Sequence, residues 1–186
     1  MEFKGWATTN GTLAGGFVES MSIHYSYEPV IDNSSEVLIL GSLPGPESLQ
    51  KGQYYANPHN QFWRIIFQVF EADCADLSYD EKVSFLIEHK VALWDVFYSA
   101  DRTGALDADI RNELPNDIAG LLLDFPNINR ILLNGKKAET SFRKSFPDIC
   151  IDAVYVPSTS PAYAKMSLAG KTREWKAAIL QPHANP

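Results

Sequence analysis

The chain has 186 residues, of which 45% are hydrophobic and 21% charged, and its formal net charge is −7. This length and balance predict one globular domain with a single large core, and no apolar stretch approaches the roughly 20 residues of a membrane helix. The two cysteines, Cys74 and Cys150, are far apart and form neither a metal-binding pair nor a disulfide framework. We therefore predict a cytoplasmic protein without a metal or other cofactor.

Residues 1–22 differ in pattern from the rest of the chain. Glycine and threonine interrupt their apolar residues, so the continuous apolar segment of a signal peptide is missing. We predict that residues 1–22 are a disordered extension and that residues 23–186 form one domain.

Short apolar runs then alternate with segments whose apolar residues recur at helical spacing. Strands are predicted at 36–41, 91–97, 129–134 and 152–156, and helices at 59–70, 79–89, 116–124, 136–146 and 171–180. This alternation predicts an α/β fold with a parallel sheet. In such folds the functional site lies at the carboxyl ends of the strands, so the loops after the four strands should share one crevice.

The first motif, residues 41–45 (GSLPG), follows the first predicted strand. Glycines allow a ligand to approach the backbone closely, and N–H groups in such a turn can bind a phosphate or the carbonyl of a base. A plain strand-to-helix turn explains the pattern equally well. Gly41, Ser42 and Leu43 are the candidate binding residues.

The second motif, residues 54–63 (YYANPHNQFW), precedes a predicted helix. The ring of Tyr55 can stack on a base, and the amides of Asn57 and Asn60 can bind a base edge or orient water. Asn57 could instead cap the helix while Asn60 faces the pocket. Phe62 and Trp63 are predicted to belong to the core.

The third motif, residues 157–163 (PSTSPAY), follows the last predicted strand. Hydroxyl groups between prolines can hold a phosphate, and a residue at the tip of such a loop can press into a DNA stack. A solvated turn is the alternative. The candidate DNA-binding residues are Ser158, Thr159, Ser160, Pro161, Ala162 and Tyr163.

A cluster of cations lies late in the chain. Lys165, Lys171, Arg173 and Lys176 could form a basic patch for DNA, although the net charge of −7 argues mildly against nucleic acid. The alternative is an ordinary solvated helix face.

Together the three motifs resemble those of the uracil-DNA glycosylase superfamily. Residues 41–45 are similar to its first motif and residues 158–162 to its second. Residues 54–63 are similar to the YYxxPxNxFW signature of the hypoxanthine-DNA glycosylases and to FAHPANRFW of the mismatch-specific branch. The resemblance implies a three-layer α/β/α fold with a four-stranded parallel sheet, a flipped deaminated base in the crevice, DNA as the partner and no metal.

The resemblance also implies roles for individual residues. Many relatives carry Asp or Asn at the third position of the first motif, where this chain has Leu43, which cannot direct water. The catalytic role therefore moves to Asn60, Tyr55 becomes the base-stacking ring, and Asn57 replaces a histidine of the mismatch branch. This pattern favours hypoxanthine over uracil, with xanthine as a further possible substrate.

We predict a monofunctional, monomeric DNA glycosylase of base-excision repair. Two alternatives remain. The lack of a catalytic side chain at Leu43 and the acidic net charge would suit a damaged-DNA binding protein without catalysis. A small-molecule hydrolase ranks lower, because the chain has no GxSxG nucleophile motif.

Overall fold

The computed structural model describes residues 22–73, 77–102 and 106–180. The predicted extension over 1–22 lies outside these residues except for Ser22, which begins the first strand. The strands are Ser22–Tyr25 (β1), Val37–Gly41 (β2), Val91–Asp95 (β3), Phe97–Arg102 (β4), Ile110–Pro115 (β5), Arg130–Asn134 (β6) and Asp152–Val156 (β7). The helices are Pro46–Lys51 (α1), Phe62–Val69 (α2), Tyr79–Glu88 (α3), Ile118–Asp124 (α4), Lys136–Ser145 (α5) and Leu168–Leu180 (α6).

The centre of the molecule is a four-stranded parallel sheet in the order β3-β2-β6-β7, as predicted. Strand β2 pairs with β3 and β6, so that Leu38 lies beside Ala92 on one side and Ile131 on the other. Every residue of β2 and β6 is buried. Strands covered on both faces read as continuous apolar runs, which is why the sequence identified them.

Two apolar clusters cover the two faces of this sheet, which confirms the α/β/α layering. On one face, Ile39 and Leu132 pack with α2 and α6, whose buried residues include Phe62 and Trp175. On the other face, Leu38 and Leu133 pack with residues of α4, α5, β4 and β5. Neighbouring strand residues point to opposite faces, so one run of apolar residues serves both clusters.

A second sheet, antiparallel and three-stranded in the order β1-β4-β5, was not predicted. The strand predicted over 91–97 is two strands: β3 ends at Asp95 and β4 begins at Phe97. Only Val96 lies between them, and its N–H donates to the carbonyl of Gly41 at 2.8 Å. No glycine or proline marks this change of direction, so the sequence carried no turn signal for it.

Three helices begin at a different residue than predicted, since α4 begins at Ile118 rather than at residue 116, and a further helix was not predicted. Helix α2 begins at Phe62 rather than at residue 59, α6 begins at Leu168 rather than at residue 171, and α1 was missed because Pro46 suggested a loop. Proline is accepted in the first turn of a helix, since the N–H it lacks has no partner there. No helix in the described part of the chain is long and apolar enough to cross a membrane.

Candidate active site

Residues at or after the carboxyl ends of β2, β3, β6 and β7 surround one cavity of about 450 Å³. This volume falls in the usual range of small-ligand pockets. The loop predicted after residue 97 is instead strand β4, so this side of the cavity is lined by Asp95 and Arg102, at the ends of β3 and β4, and by Asp107. The cavity lining includes all of the predicted site residues, namely Gly41, Ser42, Leu43, Tyr55, Asn57, Asn60, Ser158, Thr159, Ser160, Pro161, Ala162 and Tyr163.

The first motif turns tightly beneath the cavity. A methyl group added to Gly41 would lie 2.4 Å from Asp95 Oδ1 and 3.1 Å from Tyr55 Oη, so only glycine fits between these two side chains. Ser42 Oγ donates to Asp107 Oδ1 at 2.6 Å. The side chain of Leu43 is buried in the apolar cluster that covers α4 and α5, which leaves its backbone as the part available to a ligand.

Tyr55 holds its ring against the core. The ring stacks on Phe62 with centroids 3.9 Å apart, and Tyr55 adopts a left-handed backbone with φ of 53°. Its hydroxyl accepts a hydrogen bond from Asn134 Nδ2 at 2.9 Å. Burial raises the pKa of this hydroxyl well above its ordinary value, so Tyr55 stays neutral and acts as an aromatic surface.

The two asparagines of the second motif have different environments. Asn57 uses both ends of its amide, since Oδ1 accepts from the His59 N–H at 2.8 Å and Nδ2 donates to Glu47 at 3.0 Å. Asn60, rather than Asn57, accepts from the first helical residue, at 2.9 Å from the Phe62 N–H. This bond leaves Asn60 its second oxygen lone pair and its amide N–H groups for a ligand or water.

Asn134, at the end of β6, was not singled out from the sequence. Its Nδ2 donates to Tyr55 Oη and to Thr159 Oγ1 at 3.1 Å, and its Oδ1 accepts from the Thr159 N–H at 3.1 Å. One buried side chain thus joins the second motif to the third. The sequence feature that could have identified Asn134 is a polar residue at the end of a buried strand, because a buried amide needs hydrogen-bond partners.

The third motif is held both by its own hydrogen bonds and by bonds from other elements, which include the Gln61 N–H donating to the Thr159 carbonyl at 3.0 Å and Trp175 Nε1 donating to the Pro157 carbonyl at 2.9 Å. Ser158 Oγ accepts from the Ser160 N–H at 3.2 Å, and Ser160 Oγ accepts from the Ala162 N–H at 3.3 Å. Thr159 is 1% exposed, so its hydroxyl serves the Asn134 contact and not a surface phosphate. Pro161 and Ala162 are exposed at the tip of the loop.

Asp95, the last residue of β3, is the second site residue that the sequence analysis missed. It is 3% exposed and lines the cavity, and its carboxyl group receives one hydrogen bond within the described residues, from Ser26 Oγ at 3.1 Å. Burial raises the pKa of this carboxyl group to about 7, with the nearby Asp107 carboxylate adding to the effect. The sequence feature that could have identified Asp95 is an acidic residue at the end of an apolar strand.

Arg102 lies on the same side of the cavity, at the end of β4. Its guanidinium donates to the carbonyl of Pro44, while its buried Nε has no hydrogen-bond partner among the described residues. Burial lowers the pKa of Arg102, and the carboxylates of Asp107 and Asp95 oppose this effect. Within the described residues no group of three or more His, Cys, Asp and Glu residues is placed to hold a metal ion.

Three of the four cations in the predicted basic patch have close neighbours. Lys171 is buried over the ring of Tyr163, Lys176 pairs with Glu71 at 2.7 Å, and Arg173 lies beside Glu174. Lys165 is exposed and precedes α6, so the four residues do not form one cationic face of that helix.

A groove of about 380 Å³ adjoins the cavity and is lined by a different set of cationic side chains. Lys51, Arg64 and Lys82 line it, no acidic residue does, and none of the three forms an ion pair within the described residues. Its aromatic floor includes Trp63 and Tyr79, and it shares the second motif with the cavity.

The profile of the Uracil DNA glycosylase superfamily matches residues 28–182. The chain belongs to this superfamily, and it is a DNA glycosylase with the fold of that superfamily.

Among proteins of known name, it is similar to a hypoxanthine DNA glycosylase of Methanosarcina acetivorans, with 36% identity over 83% of this chain and 97% of that protein. A hypoxanthine DNA glycosylase of Methanosarcina barkeri is 41% identical over 60% of this chain and 71% of the relative.

A solution NMR structure from M. acetivorans, provisionally described as a uracil DNA glycosylase, superposes with a TM-score of 0.76. It is 35% identical and covers 85% of this chain and 97% of its own.

Proposed function

We propose that this DNA glycosylase removes hypoxanthine from deoxyinosine in DNA, by hydrolysis and without cutting the strand. The observation that carries the proposal is the convergence of Tyr55, Asn60 and the backbone of residues 41–43 on one cavity. The names of the two Methanosarcina relatives support hypoxanthine over uracil or xanthine. The protein would act as a monomer in the cytoplasm.

The cavity would receive a base that has flipped out of the DNA stack. Phe62 covers one face of the Tyr55 ring, so the other face would stack on the base. Backbone N–H groups of residues 42 and 43 would hold its edge, and the tight turn at Gly41 allows this close approach.

Asn60 would orient the attacking water. Its carbonyl oxygen has one lone pair left after the Phe62 contact, and an amide is too weak a base to take the proton fully. Bond cleavage places positive charge on the sugar and negative charge on the leaving base. Fixed backbone dipoles aimed at the base would therefore supply much of the stabilisation. The two lysines in the cavity lining, Lys136 and Lys137, are paired with Glu139 and Glu113, so neither is assigned to a Schiff base and the base would be released without strand cleavage.

The DNA strand would lie along the groove that adjoins the cavity. Lys51, Arg64 and Lys82 would contact its phosphates, since they line the groove, no acidic residue does, and none of them is ion-paired within the described part of the chain. The exposed Pro161 and Ala162 would occupy the gap left in the duplex by the flipped nucleotide.

Substitution of Asn60 tests the proposal. Asn60→Ser keeps an oxygen that can accept from the Phe62 N–H, so the helix start and the fold should survive. Release of hypoxanthine from an inosine-containing duplex should nevertheless fall at least about 100-fold, the usual lower range for such a group. The assay is single-turnover base release, with an alkali step to reveal abasic sites.

The matched control is Asn127→Ser, an exposed asparagine that donates to the carbonyl of Asn33. It should keep wild-type activity. If Asn60→Ser also kept it, Asn60 would have no part in the reaction. Tight binding of wild-type protein to the inosine duplex with no abasic product would instead select the binding protein over the enzyme.

A further inference from the structure

Asp95 is a buried acid that the mechanism above does not use. Its carboxyl group lies in the wall of the cavity at the carboxyl end of β3, and its Oδ1 packs against the α-carbon of Gly41, beside Tyr55 Oη. It therefore borders the ring that is proposed to stack on the base. The first motif of this chain supplies no acidic side chain, since its third position is Leu43, which is packed in the core.

The surroundings of the Asp95 side chain favour the neutral carboxylic acid. Within the described residues, the carboxyl group receives one hydrogen bond, from Ser26, and forms no ion pair. Burying a carboxylate with so few partners is costly, so a proton is retained up to near-neutral pH. The other titratable or charged groups that act on it or face the same cavity are Arg102, Asp107, Tyr27, Tyr54, Tyr55, Glu47, Lys136 and Lys137.

We propose that Asp95 is the general acid of this site and donates its proton to a ring nitrogen of the departing purine, N7 being the expected acceptor. This inference rests on the proposed function, since it requires a purine in the cavity. Hypoxanthine has basic imidazole and pyrimidine nitrogens outside its lactam, whereas uracil has no equivalent of N7. A proton donor in the wall of the cavity would therefore assist a purine in particular.

The reaction balances as a hydrolysis. The C1′–N9 bond breaks and its electron pair goes to the base, while the carboxyl proton of Asp95 moves to N7. Water oriented by Asn60 adds to C1′ and releases one proton. That proton restores the Asp95 carboxylic acid, directly or through solvent, so the products are neutral hypoxanthine and a sugar hydroxyl.

The test compares wild-type protein with Asp95→Asn in single-turnover release of hypoxanthine between pH 5 and 9. Wild-type activity should be level at low pH and fall about tenfold per pH unit above the pKa of about 7, because only the protonated acid donates. Asp95→Asn is nearly the same shape and should be slower by about 100-fold or more at pH 6, with no such pH dependence.

A second substrate separates proton donation from a structural role. N7-methylated deoxyinosine already carries a positive charge on the imidazole ring, so its base leaves without protonation. Asp95→Asn should cleave this duplex within about threefold of the wild-type rate after subtraction of spontaneous loss, whereas Asn60→Ser should stay defective. The matched control Asp152→Asn, at the opposite end of the sheet, should behave as wild type on both substrates.

Two results would overturn the assignment. One is wild-type activity of Asp95→Asn on inosine at pH 6, and the other is an equal loss on the inosine and N7-methylated duplexes. Absence of hypoxanthine release by the wild-type protein at every pH would be a different failure, because it would reject the proposed substrate itself and with it the purine that Asp95 is meant to protonate.

Discussion

At the scale of single residues, the sequence pointed to the groups that occupy the cavity but not to the contacts that hold them. Tyr55 and Asn60 line it as expected, whereas Asn134 and Asp95 were overlooked. Both end apolar strands, where one polar residue resembles an ordinary strand terminus. What distinguishes them is burial and the neighbours that the fold supplies, and these depend on strand order, which local patterns do not encode.

Asp95 also makes stability depend on pH. Its pKa is raised from 3.8 to about 7 in the folded protein, so the folded state binds more protons than the unfolded state in that interval. Stability therefore falls as pH rises from about 4 to 7, by up to roughly 4 kcal/mol if the full shift applies.

Asp95→Asn removes this proton linkage. The variant should be more stable than wild type at pH 8 by about 2 to 4 kcal/mol, with the difference vanishing near pH 4. Urea unfolding of the wild type and the variant at pH 4 and pH 8 measures the two stability differences. Equal stability differences at pH 4 and 8 would show that the Asp95 carboxyl group has an ordinary pKa.

At the scale of elements, the parallel sheet was predictable and the antiparallel sheet was not. Residues of β2 and β6 are buried on both faces and form unbroken apolar runs. Strand β5, in contrast, is exposed after its first residue, and β4 follows β3 with no turn residue between them. Neither the apolar periodicity nor the turn chemistry that sequence analysis relies on is present there.

The junction between β6 and α5 offers a test at this scale. Gly135 has φ of 93°, and a methyl group added there would lie 2.9 Å from Ser158 Cβ. Gly135→Ala should therefore destabilise the protein by about 1 to 3 kcal/mol and lower the rate of base release, because the third motif must move.

Gly45→Ala is the control for that substitution. Gly45 has φ of −73°, and an added methyl group would meet no atom within 4 Å, so its free energy of unfolding should change by less than about 0.5 kcal/mol. Chemical denaturation measures both variants. Equal stability of the two would mean that Gly135 is not restricted by its backbone or by Ser158.

At the scale of the whole molecule, charge distribution matters more than net charge. A net charge of −7 disfavours DNA binding in general, yet the groove beside the cavity carries three cations that form no ion pair within the described residues. The sequence instead suggested Lys165, Lys171, Arg173 and Lys176, of which Lys171 is buried and Lys176 is paired with Glu71. Proximity in sequence did not identify these cations, because Lys51, Arg64 and Lys82 come from three separate helices, α1, α2 and α3.

Salt dependence tests this groove. Each phosphate contact contributes about 0.9 to the slope of log affinity against log salt concentration, so replacing Lys51, Arg64 and Lys82 by Gln should reduce the slope by about 2 to 3. Binding is measured with an inosine duplex and protein that also carries Asn60→Ser, which prevents turnover. The control is Lys176→Gln, which should leave the slope unchanged because Lys176 pairs with Glu71. An unchanged slope in the triple variant would mean that the DNA binds elsewhere.

The hydrogen bond from Ser26 to Asp95 bears on where this catalytic unit begins. The match to the superfamily profile begins at residue 28, whereas Ser26 and β1 lie before that residue. Strand β1 pairs along β4 and thereby fixes Ser26 beside the acid. A trimmed enzyme designed from the homologous region alone would retain the parallel sheet and all three motifs but lose the donor that contacts Asp95. Any shortened form of the enzyme should therefore keep residues 22–27, because β1 and Ser26 position the only side chain seen to donate to the Asp95 carboxyl group within the described residues.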